Sequence, residues 1–141
     1  MHQATIFQPV IVMIVLTFAV ALWMLRLRFK AVGTGALTPA YFKLNRGGKA
    51  PEHLTLVTHH FDNLLEIPPL FYIACVIAFV LNGVDGYMLG LAWAYVAARL
   101  VHCAIHTSYN NVFHRMFAFL ASTAVLGVMW AEIGRLVFSA G

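Results

Sequence analysis

The chain has 141 residues, of which 62% are hydrophobic and 10% are charged, and its mean hydropathy is +0.83. A soluble domain carries roughly 45–50% apolar and about 25% charged residues, so this composition excludes a soluble protein and predicts an integral membrane protein. We expect a single domain over residues 1–141. The excess of nine basic over five acidic residues does not indicate nucleic-acid binding, because the basic residues lie beside apolar spans.

The first predicted span covers residues 7–27, close to the roughly 20 residues that cross a bilayer. No basic segment precedes it, and its apolar run is longer than a signal-peptide core, so we expect a mature first helix. The span ends in RLRFK, and the following loop, 32–51, contains a TPAYFKL stretch that suits a short interfacial segment. The end of the span and the loop hold six of the nine Lys and Arg, which predicts that the loop is cytoplasmic and both termini lie opposite.

The second predicted helix begins at Pro51-Glu52 and runs to residue 81, longer than the membrane requires. Pro68 and Pro69 remove two backbone donors in its middle, so a kink is expected there. The residues 82–86, NGVDG, predict a tight turn.

Two further spans follow, predicted over 87–108 and 112–138. Glu132 and Arg135 are spaced as an i,i+3 ion pair near the end of the last span. The layout predicts an all-α, integral membrane four-helix bundle with up-down-up-down topology.

Polar residues form one stripe on the second helix, because their offsets of 0, 3, 4 and 7 place them on one face. They are His59, Asp62, Asn63 and Glu66. Carboxylates and amides that enter hydrocarbon are costly unless they face a partner helix or a wet cavity, so the stripe predicts a functional site. His60 lies off this stripe, and we expect it at a lipid interface or a subunit contact.

A second stripe lies at the same predicted depth on the third helix. Arg99, His102 and His106 have offsets of 0, 3 and 7. Arg115 follows in the first turn of the last helix, where the helix dipole adds positive charge. The structural alternative for Arg99 is a buried ion pair with Glu66 or Asp62.

These residues resemble the membrane-associated proteins in eicosanoid and glutathione metabolism, the MAPEG family that includes microsomal glutathione transferases. The resemblance is carried by RLRFKA at 26–31, by N-x-x-E-x-x-P from Asn63 to Pro69, by ARLVH at 98–102 and by Arg115. It implies a homotrimer that binds glutathione between subunits in a cleft open to the cytoplasm. It also implies an enzyme that conjugates or reduces lipophilic electrophiles with glutathione, and we expect this enzyme in a bacterial inner membrane.

Roles for individual residues follow from the resemblance. Arg115 is expected to stabilise the glutathione thiolate, with His106 and Tyr109 as further catalytic candidates. The residues expected to bind glutathione are Arg26, His59, Asp62, Asn63, Glu66, Arg99 and His102. The chain departs from the family where His59 and Asp62 replace arginines and where His106 replaces an aromatic hydroxyl, with Tyr109 one turn later.

Two other functions remain open. A non-catalytic MAPEG-fold subunit that binds lipid or serves a larger membrane complex is favoured by the missing arginines. A bundle metal site would use His102 and His106 together with His59, Asp62 and Glu66. Against the metal site, the chain lacks the Glu-x-x-His pair of di-iron bundles, and Arg99 would repel a cation, so no metal ligand is assigned.

Overall fold

The computed structural model describes residues 2–139, in which a 3-10 turn at Gln3–Ile6 precedes six helices and no strand occurs. The helices are α1 Phe7–Gly33, α2 Tyr41–Leu44, α3 Glu52–Glu66, α4 Pro68–Val80, α5 Gly86–Thr107 and α6 Val112–Ser139. The four predicted spans are confirmed as helical stretches that are long and apolar enough to cross a membrane. These stretches are Gln3–Gly33, Glu52–Val80, Gly86–Thr107 and Val112–Ser139.

The predicted kink is a break between α3 and α4 at Ile67. Pro68 and Pro69 have no N–H, so the carbonyls of Leu64 and Leu65 lose their usual helical donors. The two prolines instead open α4, where a missing N–H costs nothing. The break separates the polar helix α3 from the apolar helix α4.

The first helix is longer than predicted, since α1 continues past Leu27 to Gly33. Arg26 and Lys30 are exposed there, so the helix carries its basic residues out of the apolar span. A carbonyl in the last turn of α1 has a local hydrogen-bond donor, because the Thr34 N–H donates to the Lys30 carbonyl at 3.0 Å. The TPAYFKL stretch contains the short helix α2.

The turn between α4 and α5 is fixed by two sets of polar contacts. Asp85 caps α5, its Oδ1 accepting from the Met88 N–H at 2.8 Å. Gln3 bonds both polar groups of the Val84 backbone, at 2.9 and 3.2 Å. The start of the chain and the 81–85 turn therefore lie side by side, far along α5 from its polar end.

The core and much of the outer surface are both apolar. Phe71 of α4 stacks on Tyr95 of α5 with ring centroids 4.4 Å apart, and both are fully buried. Outward-facing aromatic side chains remain exposed on α1 and α6, including Phe18 and Phe117. Such a surface suits contact with lipid rather than with water. The expected pair at the end of α6 is confirmed, with Arg135 donating to both carboxylate oxygens of Glu132.

Candidate functional site

A cavity of about 580 Å³ lies where the second half of α3, the end of α5 and the start of α6 meet. It is lined by His59, Asp62, Asn63, Glu66, His102, His106, Val112, Arg115, Met116 and Phe119. This volume lies within the range of roughly 300–1,000 Å³ that is typical of small-ligand sites.

All four residues of the polar stripe on α3 line the cavity. The side chains of His59, Asp62 and Glu66 are exposed, and Asn63 is half-buried. The helical spacing therefore brings these four side chains to one space, as the sequence indicates. Two carboxylates, an amide and an imidazole give this wall both acceptors and donors.

Arg99 is buried behind the polar stripe of α3 and does not line the cavity. It is 0% exposed, and its Nη2 donates a hydrogen bond to Oδ1 of Asn63. The alternative of a buried ion pair with Glu66 or Asp62 is wrong. Between residues 2 and 139 the only ion pair is that of Arg135 with Glu132. Arg99 consequently positions Asn63 through a charge-assisted hydrogen bond.

Arg115 is the cation of the opposite wall. It is half-buried in the first turn of α6, and its Nη1 donates to Oδ1 of Asn110 at 2.8 Å. The unpaired N–H groups of a helix start add positive potential at this place. The positive wall of α6 thus faces the acceptors of α3 across the cavity.

The apolar part of the lining comes from three residues of α6 that the sequence reasoning did not single out. Val112, Met116 and Phe119 follow at i, i+4 and i+7, so they share one helix face with Arg115. That spacing was readable from the sequence. Their neighbours Phe113 and Phe117 are exposed, at 68% and 64%, on the lipid-facing side.

Besides Arg99, two candidate residues do not line this cavity. Arg26 is exposed on α1, and Tyr109 is exposed in the α5–α6 connection. The Tyr109 hydroxyl lies 2.9 Å from Nδ1 of His114 and so has a local partner. Neither residue lines the cavity of its own chain.

The expectation for His60 is wrong, because this side chain is 0% exposed and packs against His102 and His106. Leu54, Val57 and Leu64 are buried on the same face of α3, so His60 continues an apolar stripe at spacings of 3 and 4. That spacing was the signal that could have identified it. Among the described residues the possible metal ligands that come together are therefore His60, His102 and His106, without His59, Asp62 or Glu66.

A smaller cavity of about 150 Å³ shares His59 and Asp62 with the main one. Arg28 of α1 also lines it, with its guanidinium carbon 5.4 Å from the centre of the Phe42 ring. That distance is within the range of a cation–π contact. The polar face of α3 is therefore accessible from two adjoining spaces.

The arrangement can hold a small polar molecule with charges of both signs. Carboxylates of α3 accept hydrogen bonds from an ammonium group, and Arg115 attracts an anion such as a carboxylate or a thiolate. The apolar face of α6 provides a surface for a lipophilic second molecule.

Comparison with protein families identifies one family model, described as the MAPEG family, which matches residues 6–135. Neither the curated proteins nor the solved structures gave a match. Because the family match spans nearly the whole chain and agrees with four membrane-capable helices, this chain belongs to the MAPEG family.

Proposed function

We propose that this protein is a membrane-bound enzyme that conjugates or reduces lipophilic electrophiles with glutathione. The observation that carries the proposal is the cavity in which Arg115 faces the polar stripe of α3. Glutathione carries two carboxylates and one ammonium group. Asp62 and Glu66 suit its ammonium, and Arg115, Asn63 and His59 suit its anionic and amide groups.

Arg115 is the residue that activates the thiol in this proposal. A thiol with a pKa of about 8.5 is mostly protonated at neutral pH, and a nearby cation in a partly dry cavity favours the thiolate. With a chlorinated aromatic electrophile, the sulfur forms a bond to the ring carbon and chloride leaves with the bonding pair. The thiol proton passes to solvent.

The electrophile enters from the bilayer. Val112, Met116 and Phe119 form the apolar side of the cavity, and the adjoining face of α6 is exposed to lipid. A lipophilic molecule would pass from the bilayer to this wall without crossing a charged surface. Exclusion of water there also strengthens the interaction between Arg115 and the thiolate.

We further propose a homotrimer with an up-down-up-down arrangement of the spans, in which each site is completed by a neighbouring subunit. Arg26 is exposed on α1 and does not line this cavity of its own chain. A neighbour that packs its α1 beside the opening of the cavity would add this cation near the two carboxylates and Arg115. The added cation would offset the acidic character of the α3 wall.

In a bacterial inner membrane, we propose that the cavity faces the cytoplasm and that both termini lie on the opposite side. Six of the nine Lys and Arg lie in residues 26–49, which supports a cytoplasmic position for this loop. The contact of Gln3 with Val84 supports placing the start of the chain and the 81–85 turn together on the opposite side. We expect Lys49→Cys to resist a membrane-impermeant maleimide in spheroplasts and Asn82→Cys to react, with Cys75 and Cys103 replaced by alanine. The reverse labelling pattern would contradict this orientation.

Replacing Arg115 tests the catalytic proposal. We expect Arg115→Ala to lower kcat/KM for glutathione with a chlorinated aromatic electrophile on the order of 10²-fold, because the thiolate loses its cation. Arg115→Lys should retain part of the activity. The matched control is Asn110→Ala, which removes the hydrogen-bond partner of Arg115 at 2.8 Å but keeps the charge. Equal losses in Arg115→Ala and Asn110→Ala would assign Arg115 a structural role instead.

A mixing experiment tests the shared site. We expect Arg26→Ala alone to lose roughly 10–100-fold in activity, as for a hydrogen bond to a charged group. When Arg26→Ala and Arg115→Ala chains are co-expressed, about one quarter of the sites in randomly mixed rings would combine two intact halves. Recovery to about one quarter of wild-type activity is therefore expected. No recovery above the more active parent would contradict a site shared between subunits.

A second function is favoured by one specific observation. The cavity lining holds two carboxylates, Asp62 and Glu66, and Arg115 is its one Lys or Arg. A site of this charge holds a dianionic tripeptide less firmly than one with several arginines, which suits a non-catalytic subunit that binds a lipid or another membrane protein. Intact trimers of the wild-type chain that show no turnover with glutathione would support this second function.

A further inference from the structure

Three buried histidines from two helices form a compact cluster behind the polar wall of the cavity. His60 belongs to α3, while His102 and His106 lie one turn apart on α5. Their exposed fractions are 0%, 3% and 5%. One potential ligand nitrogen from each ring lies within 4.8 Å of the other two.

The ring nitrogens of this cluster lack protein partners. Both nitrogens of His60, both of His106 and Nδ1 of His102 are buried without a hydrogen bond. A buried polar group that is left unsatisfied costs about 1–3 kcal/mol, so five such atoms in one place indicate a site that a ligand would stabilise. A single ion that accepts a lone pair from each ring would satisfy three of them together.

The separations of the rings already suit a metal-bound arrangement. A zinc ion lies about 2.0–2.1 Å from each imidazole nitrogen, which places the ring centres of tetrahedral or trigonal ligands roughly 5 to 5.5 Å apart. In the structure the ring centroids are 5.1 Å apart for His60 and His106, and 5.5 Å apart for each of the other two pairs. To bind one ion, the three rings would need to change their orientation more than the positions of their centres.

The fourth coordination position is available from the cavity. His102 and His106 line the cavity, and His60 closes the cluster from the buried side. Three protein ligands with one open position are the pattern of catalytic rather than structural zinc sites. Imidazole ligands favour zinc, copper, nickel or iron over magnesium or calcium.

Charged groups near the cluster set its electrostatic cost. The guanidinium of Arg99, one turn from His102, opposes a cation, but its Nη2 is engaged by Asn63. Asp62 and Glu66 line the same cavity as His102 and His106 and contribute negative charge. Arg115 of the same cavity adds a second positive charge, so the two carboxylates match the two arginines in number.

We infer that His60, His102 and His106 form a site for a divalent transition-metal ion of the zinc class, with its open position facing the cavity. The inference does not depend on glutathione activity, because it rests on histidines that come together whatever the cavity binds. A thiolate in the cavity would be one possible fourth ligand, since sulfur binds zinc well.

Cobalt binding tests the site directly. We expect the purified, tag-free protein in detergent to bind one Co²⁺ per chain and to show the strong visible absorption of four-coordinate cobalt. Zn²⁺ should displace the cobalt and abolish that absorption. His60→Ala should weaken binding by more than the roughly 10–100-fold cost of losing an outer-shell partner.

The matched control is His53→Ala, since His53 is an exposed histidine of α3 that packs on Trp23 outside the cluster. His53→Ala should bind cobalt as the wild type does. If His60→Ala fails to fold, His106→Cys keeps a donor atom and should add a sulfur-to-cobalt charge-transfer band. Absence of stoichiometric binding by the wild type, or equal binding by His60→Ala and His53→Ala, would overturn the inference. Neither readout uses glutathione, so failure of the metal site is distinguishable from failure of the proposed enzyme.

Discussion

The guanidinium of Arg99 is buried within a membrane-spanning helix, and its hydrogen bond to Asn63 organises the polar end of the bundle. Inserting a charged side chain at the centre of a bilayer costs about 2.5–3.5 kcal/mol on experimental insertion scales. A buried guanidinium therefore needs hydrogen-bond partners within the protein. Because Asn63 belongs to the same helical face as His59, Asp62 and Glu66, fixing Asn63 orients that whole face toward α5 and α6. The cavity is then the space in which the remaining polar groups avoid lipid.

The proline break gives the second span two different halves. Without N–H groups at Pro68 and Pro69, α3 and α4 form separate helices, one carrying the polar wall and the other packing as apolar core through contacts such as Phe71 on Tyr95. At the polar end of the bundle, Arg115 also lines the cavity, and His60 packs against His102 and His106. The proposed thiolate and the inferred divalent cation would therefore share one cavity, which the carboxylates of α3 also line.

Much of this arrangement could be predicted from the sequence, because hydrophobic runs and 3-to-4 residue spacing are local properties. The spans, the break at the prolines and the shared face of His59, Asp62, Asn63 and Glu66 follow from them. His60 is buried, contrary to expectation, because it shares an apolar face of α3 with Val57 and Leu64. The partner of Arg99 depends on how α3 rotates against α5, which spacing does not specify. Arg26 is exposed on α1, and in the proposed trimer its surroundings would depend on neighbouring subunits, which spacing does not specify either.

The most direct measurement is an equilibrium titration of the purified protein with glutathione, made on the wild type and on Arg99→Met, after both have been shown to form the same oligomer. If Arg99 holds the polar face of α3 in place for a ligand, the wild type should bind saturably at millimolar glutathione or below. Arg99→Met should then bind roughly tenfold more weakly or worse, from loss of a charge-assisted hydrogen bond that fixes Asn63. Absence of saturable binding by the wild type, or equal affinity in the two proteins, would contradict this account.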